Sequence, residues 1–354
     1  MAVRPGEPPV QRPALPPDGL PRGKDWANVY ADPTASPDSG FVEVAGKVGE
    51  GINLDGDPRT GFASPAGEKG VDNRFYKALG CWKFYRGAAG ESPSFVTANN
   101  RMRDGGWTMV VVVSGAGDDP MNDDQVRMGV FMSADTLVKD GTGNVAKDYT
   151  FRIRPHADYE ALFEGKIANG RLTTAATPRA FLRDAGFGRG LELLQARADL
   201  QLQADGTLKG YIGGYRPFQA IFEGFLDHHG WTIESNTGVE LPALWYALRR
   251  NADYSPTGPL GPKTHISFAL RVQAAPAYVT DPEGQGLVSG VKSYRAAAPA
   301  GEGLMRYPPR PPGYRVVDGL VTPASGAPAA PLTAEELTRL ATHPRQVAAT
   351  AKRP

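Results

Sequence analysis

Cysteine is nearly absent: Cys81 is the one thiol in 354 residues. That excludes an intrachain disulfide, a multi-cysteine zinc or iron–sulfur site and a c-type haem attachment. An excess of charge of either sign is also missing, since 39 Lys and Arg face 38 Asp and Glu. Without a global field to collect polyanions, the chain is not expected to bind nucleic acid. No run approaches the roughly 20 consecutive apolar residues of a membrane-spanning helix. Nor does a basic segment followed by an apolar one mark a signal peptide. The usual catalytic signatures are lacking too: G-x-S-x-G, H-E-x-x-H, a P-loop and a Rossmann fingerprint behind a strand do not occur, so no nucleotide cofactor is expected, and with one cysteine no haem is expected either.

What the chain has in abundance is glycine and proline. There are 43 Gly and 32 Pro, together 75 of 354 residues, against a usual share of about 12%. Their placement is uneven. Nine prolines fall in residues 1–37 and twelve in residues 276–354, leaving eleven for the 238 residues between. Proline fixes φ and removes a donor, so both ends read as extended arms around a body at 38–275. The C-terminal arm carries more large apolar residues than a solvated linker, among them Leu304, Tyr307, Tyr314, Val316, Leu320 and Val321. Farther on, Thr333 and Glu336 form a capping-box pattern that predicts a short helix over 333–342. Such an arm needs a surface to lie on, and another protein subunit is the expected partner.

The body reads as mainly antiparallel β. Trp107 to Ser114 is a β-branched run, and Gln125 to Ser133 alternates apolar residues with period two. Asn169-Gly170 and Asp205-Gly206 sit between alternating runs as hairpin turns. Further strands are expected at 148–154, 161–167, 171–174, 191–203, 207–212 and 265–273. Helices are few: 71–82, 218–228 and 241–250. These elements predict an antiparallel β-sandwich, jelly-roll or lectin-like, with a few short helices and Pro-rich extended termini.

Three constellations could carry chemistry. Asn53, Asp55 and Asp57 place oxygen ligands at alternate positions, with Asp72 and Asn73 available to complete a Ca²⁺ loop. Pro58 and Ser64 exclude an EF-hand, and a turn rich in Asx bonds with Asp72 capping the next helix is the competing reading. Asp118, Asp119, Asp123 and Asp124 crowd the loop between the two strongest strands. They bind Ca²⁺ there or are simply solvated at a hairpin tip. Last, His228-His229 beside Asp227 reads as a helix C-terminus, or as a metal or acid–base centre with His265 or His156. Cys81, on an apolar helix, is expected to pack in the core. Paired glycosidase carboxylates leave no compact motif and stay open.

The Asn53–Asp57 loop, Gly70-Val71-Asp72-Asn73, the Phe163–Thr173 hairpin and Asp205–Gly214 together resemble uncharacterised exported bacterial β-rich proteins over about residues 50–275. The resemblance implies an extracytoplasmic β-rich body and no catalytic residue. The opening MAVRPGEPPVQRP is similar to the Pro-rich stretch that follows a removed export signal, which implies a periplasmic or extracellular location; read as complete, the sequence is cytoplasmic. The expected function is that of a non-enzymatic accessory or binding subunit of a larger extracytoplasmic bacterial assembly, attached by its arms and calcium-stabilised. The alternative is a carbohydrate-binding or carbohydrate-active protein with Trp231, Trp245, Tyr246 and Tyr254 as platforms for a glycan.

Overall fold

The computed structural model describes residues 33–35, 38–82, 84–86, 92–105, 107–156, 159–183, 190–229, 241–296, 314–317 and 320–323; for 35, 226–229, 314–317 and 320–323 it describes the backbone alone. The chain divides into two compact units, Asp38–Arg306 and a second made of Met1–Pro37 with Tyr307–Pro354. In the second unit, Tyr314–Val317 and Leu320–Pro323 pair as an antiparallel hairpin. The predicted helix at 333–342 lies outside the described residues.

The larger unit is mainly β, sandwich-like and built on one large mixed sheet. Two short strands, β1 (Phe62–Ala63) and β2 (Lys69–Val71), pair antiparallel on their own. The large sheet contains β3 (Met109–Gly115), β4 (Asp123–Ser133), β5 (Tyr149–Arg154), β6 (Glu160–Ala168), β7 (Arg171–Thr174), β8 (Thr177–Arg183), β9 (Gly190–Leu202), β10 (Leu208–Pro217), β11 (His265–Ala274) and β12 (Ala277–Thr280). Its backbone is a sequential meander: β3, β4, β6, β7, β9, β10 and β11 pair antiparallel in that order. Strands β7 and β8 pair with successive stretches of β9 and so lie end to end along one edge of it. Strand β12 pairs with β5 in parallel, the exception to the antiparallel expectation.

Alternation along these strands sends one set of side chains inward. Val126, Met128 and Val130 of β4, Phe163 of β6, Leu172 of β7, Leu191, Leu193 and Leu200 of β9, Ile212 of β10 and Phe268 of β11 make one continuous apolar cluster. The register between β9 and β10 slips between Gly213 and Tyr215, where Gln195 takes φ 50°. One extra residue on β9 is a bulge, which sharpens local twist. On the outer face of β3 and β4, Val110 and Phe131 are covered by Phe151 and Ile153 of β5 and by Val291. On the outer face of β10, Tyr215 packs with Ile52 and Leu54.

Among the described residues, four helices complete the unit: α1 (Arg74–Leu79), α2 (Pro93–Arg103), α3 (Phe218–His229) and α4 (Leu241–Asn251). Helix α3 continues directly from the end of β10, and Phe75 of α1 meets Phe268 edge-on at 5.0 Å near the start of β11. The core helices therefore gather at one end of the sheet, with Phe218, Phe222, Phe225 and Trp245 fully buried. The opposite end is formed by the hairpin turns and by the loop between β3 and β4.

Candidate functional site: an acid-rimmed cavity at the open end of the sheet

At that opposite end lies a cavity of about 450 Å³. Its walls are the last inward-pointing side chains of the meander, Val113, Val126, Ile167, Leu172, Leu202 and Leu208, from β3, β4, β6, β7, β9 and β10. In a flat sheet, five strand spacings would separate β3 from β10 by about 24 Å. Val113 and Leu208 line the same cavity, so the sheet is strongly coiled around its inner face.

The rim is the Gly115–Asp124 loop, which contributes Gly117, Asp118, Asp119, Pro120 and Asp123. Its shape follows from Asx bonding. Asp123 accepts from the Gly117 and Gln125 amides, each at 2.8 Å. Asp119 accepts from the Met121 amide at 2.8 Å and from Asn122 Nδ2 at 3.0 Å. The loop is also fastened to the β6–β7 turn: the Gly170 amide donates to the Met121 carbonyl and the Asn169 amide to Asn122 Oδ1, both at 2.9 Å. Asn169 and Gly170 take φ 51° and 75°, the paired positive values of a tight hairpin turn. A Cβ at Gly170 would meet Met121 Cε at 2.6 Å, and one at Gly115 would collide with the Asp123 carboxylate. Gly115 is therefore required by the loop's close approach, and Gly170 by its positive φ.

Charge at the rim is of one sign. The Asn122 amide and the Met121 N–H hold Asp119 below the usual carboxylate range, and the Gly117 and Gln125 N–H groups do the same for Asp123. Asp118 makes no hydrogen bond or ion pair among the described residues. Two basic residues close by are already engaged, Lys147 with Asp205 at 3.0 Å, and Arg171 with Asp199 at 2.6 Å and Glu68 at 2.9 Å; Lys166 and Lys209 alternate onto the face of the sheet opposite the cavity. The site can therefore bury apolar surface at its base and meet positive charge at its mouth.

The other acidic constellation sits elsewhere, on the outer face of β10 and β11. Asn53 Oδ1 accepts from the Gly56 amide, Asp55 Oδ1 from the Asp57 amide, and Asp57 pairs with Arg59. Asp72, 4% exposed, accepts from the Leu54 and Asp55 amides at 2.8 and 3.2 Å. Burial pushes its pKa up to about 6, against the opposing pull of those two amides. Asn73 caps α1 through the Tyr76 amide and donates to the Glu50 carbonyl. Asp253 lies nearby, raised by burial while accepting from the Ser267 amide and hydroxyl, both at 2.7 Å. The structure thus brings Asn53, Asp55, Asp57, Asp72 and Asn73 together as a knot of turns. It places Asp118, Asp119 and Asp123 together at the cavity, with Asp124 exposed at the start of β4. Among the described residues, no group of three or more His, Cys, Asp and Glu is disposed to hold a metal ion.

The remaining candidates disperse. Helix α3 runs to His229, so Asp227, His228 and His229 stand on helical backbone; their side chains lie outside the described residues, as does Trp231. His265 bonds Thr264 Oγ1 through Nδ1 at 2.9 Å, with burial lowering its pKa. Trp245 is no sugar platform: it is fully buried and donates Nε1–H to Gln219 at 2.9 Å, because it lies on the inward face of α4. Tyr254 stacks on Tyr215 at 4.1 Å. Cys81 is half-buried against the cluster of Val44, Phe62 and Val71.

Sequence reasoning treated the cavity walls as ordinary core. The available signal was that each is the inward residue closest to the same end of its strand, next to the acidic loop. Comparisons of the chain with protein-family models, with curated proteins and with solved structures give no match.

Proposed function

We propose that the protein is a non-enzymatic binding subunit of an extracytoplasmic bacterial assembly, and that its body takes up a small ligand of mainly apolar surface in the cavity at the open end of the sheet. One observation carries this reading: six apolar side chains from six different strands converge on a space of about 450 Å³, within the size range of small-molecule sites. A neutral fluorescent probe, N-phenyl-1-naphthylamine, tests it. Saturable binding by the full chain is expected, and Leu208→Trp, which fills the mouth from a half-buried position, is expected to abolish it without loss of the folding transition. Absence of saturable binding, or equal binding by the variant, overturns the reading.

Residues 277–296 of the Pro-rich stretch 276–354 are built into the body through β12 and Val291; the stretch 1–37 and the remainder from Tyr307 to Pro354 are proposed to attach the body to a partner subunit. Equal proteolytic cleavage of both arms with and without that partner sinks this part. A location outside the cytoplasm rests on the resemblance of residues 50–275 to exported bacterial proteins. Calcium stabilisation through the Asp118–Asp124 loop is the competing use of the same carboxylates. A ligand that binds only the native state raises the melting temperature, so an unchanged transition in Ca²⁺ and in chelator removes that use. A glycan in the cavity is the competing occupant; the apolar walls favour the first reading, and displacement of the probe by sugars would reverse that preference.

A further inference from the structure

The cavity's ligand class can be narrowed by the chemistry of its mouth, an inference that rests on the binding reading above. The accessible walls are apolar, Val113, Leu202 and Leu208, over a floor made by the buried Val126, Ile167 and Leu172. The rim differs in kind. Asp118, Asp119 and Asp123 all line the cavity, and no Lys, Arg or His is among its lining residues. Two of these carboxylates, Asp119 and Asp123, are held by the loop's own donors, which fix the loop's position. Asp118 has no such use: its carboxylate makes no contact among the described residues, yet it stands at the mouth of an apolar space. Of the basic residues around this end, Lys147 turns to Asp205 and Arg171 to Asp199, while Lys166 and Lys209, next to Ile167 and Leu208 in sequence, alternate onto the other face of the sheet. An anionic ligand such as a fatty acid would have its carboxylate driven against three aspartates, which costs binding energy. A ligand with an ammonium group at one end would bury its apolar body and form a charge-assisted contact with Asp118.

We propose that the cavity binds a small amphipathic organic cation, its aliphatic or aromatic body against Val113, Leu202 and Leu208 and its ammonium group at Asp118.

The test uses the full chain and three probes of equal chain length, decylammonium, decanol and decanoate, each below its aggregation concentration, competing with the neutral naphthylamine probe at low salt. Decylammonium is expected to compete about tenfold more strongly than decanoate, the size of one charge-assisted contact, with decanol between them. Added salt should narrow the gap, because the rim is solvent-exposed. Asp118→Asn, at an exposed loop position with no bonds to lose, should weaken decylammonium several-fold and leave decanol unchanged. If decanoate competes as well as decylammonium, or if Asp118→Asn affects all three probes alike, the cationic class is overturned while the cavity reading stands. If none of the three displaces the naphthylamine probe and Leu208→Trp does not affect that probe either, the cavity reading fails, and this inference with it.

Discussion

Two turns in this protein are built from nearly the same residues and differ in almost everything else. The Asn53–Asp57 turn and the Asp118–Asp124 loop are both rich in Asp and Asn, and both are shaped by side-chain oxygens accepting from nearby backbone amides. The first is pinned from below by Asp72, which is buried and points two of its bonds upward at Leu54 and Asp55. The second is pinned from the side, by the Asn169-Gly170 turn, and has a cavity beneath it. Aspartate at a turn is thus not informative by itself. What it stands on decides whether it is part of the scaffold or the edge of an opening.

This contrast can be broken most severely at Asp72. Asp72→Ala leaves the buried Leu54 amide and the part-buried Asp55 amide without their acceptor, and should cost about 1–3 kcal/mol in urea unfolding. Asp72→Asn keeps an acceptor and removes the buried charge, so it should cost far less at pH 7. Because the folded-state pKa of Asp72 is raised to about 6 from 3.8, the native protein holds this proton more tightly than the unfolded chain. Its contribution is fully present below pH 3.8 and lost as pH rises through about 6. The wild type should therefore gain stability relative to Asp72→Asn as pH falls from 7 to 5, and a difference that does not change with pH refutes the buried-charge account.

A smaller effect is expected at Gly170. Gly170→Ala places a Cβ at a residue with φ 75° and against Met121, and should cost about 1–2 kcal/mol. It should also weaken probe binding, because the acidic loop loses its anchor, whereas no change in the 53–57 turn accompanies it. Least of all is expected from Asp118→Asn, whose melting temperature should match the wild type. Its effect belongs to the ligand alone.

Much of the fold was legible in residue patterns. Val110 to Val113 and the alternation of Val126, Met128 and Val130 marked the β3–β4 pair, and Asn169-Gly170 marked the β6–β7 turn. Helices α3 and α4 were expected within a residue or two of their observed ends. Strand β8 escaped notice because Ala180, Phe181 and Leu182 are all buried in succession, which erases the alternation. Helix α2 begins with a plain N-cap, Ser92 before Pro93, but buries no residue and so shows no apolar stripe. Strand β12 is four residues long and pairs with β5 across 122 intervening residues, a partnership no local pattern encodes. Of the site, the acidic loop could be seen and the cavity could not. A cavity is a property of how far a sheet coils, and Val113 and Leu208 carry no mark of their shared destination.

The late pairing of β12 also has a consequence for synthesis. Glu160, 4% exposed in the finished fold, accepts from the Ser293 hydroxyl at 2.7 Å and the Tyr294 amide at 2.6 Å, and Ser114 accepts from the Val291 amide. The partners of these early residues are the last of the body to be made. A nascent chain that has already formed the meander must hold Glu160 and the outer face of β4 open to water until residues 277–295 emerge. The seam between the first and last parts of the body is therefore where premature release, or an encounter with another chain, would leave its mark.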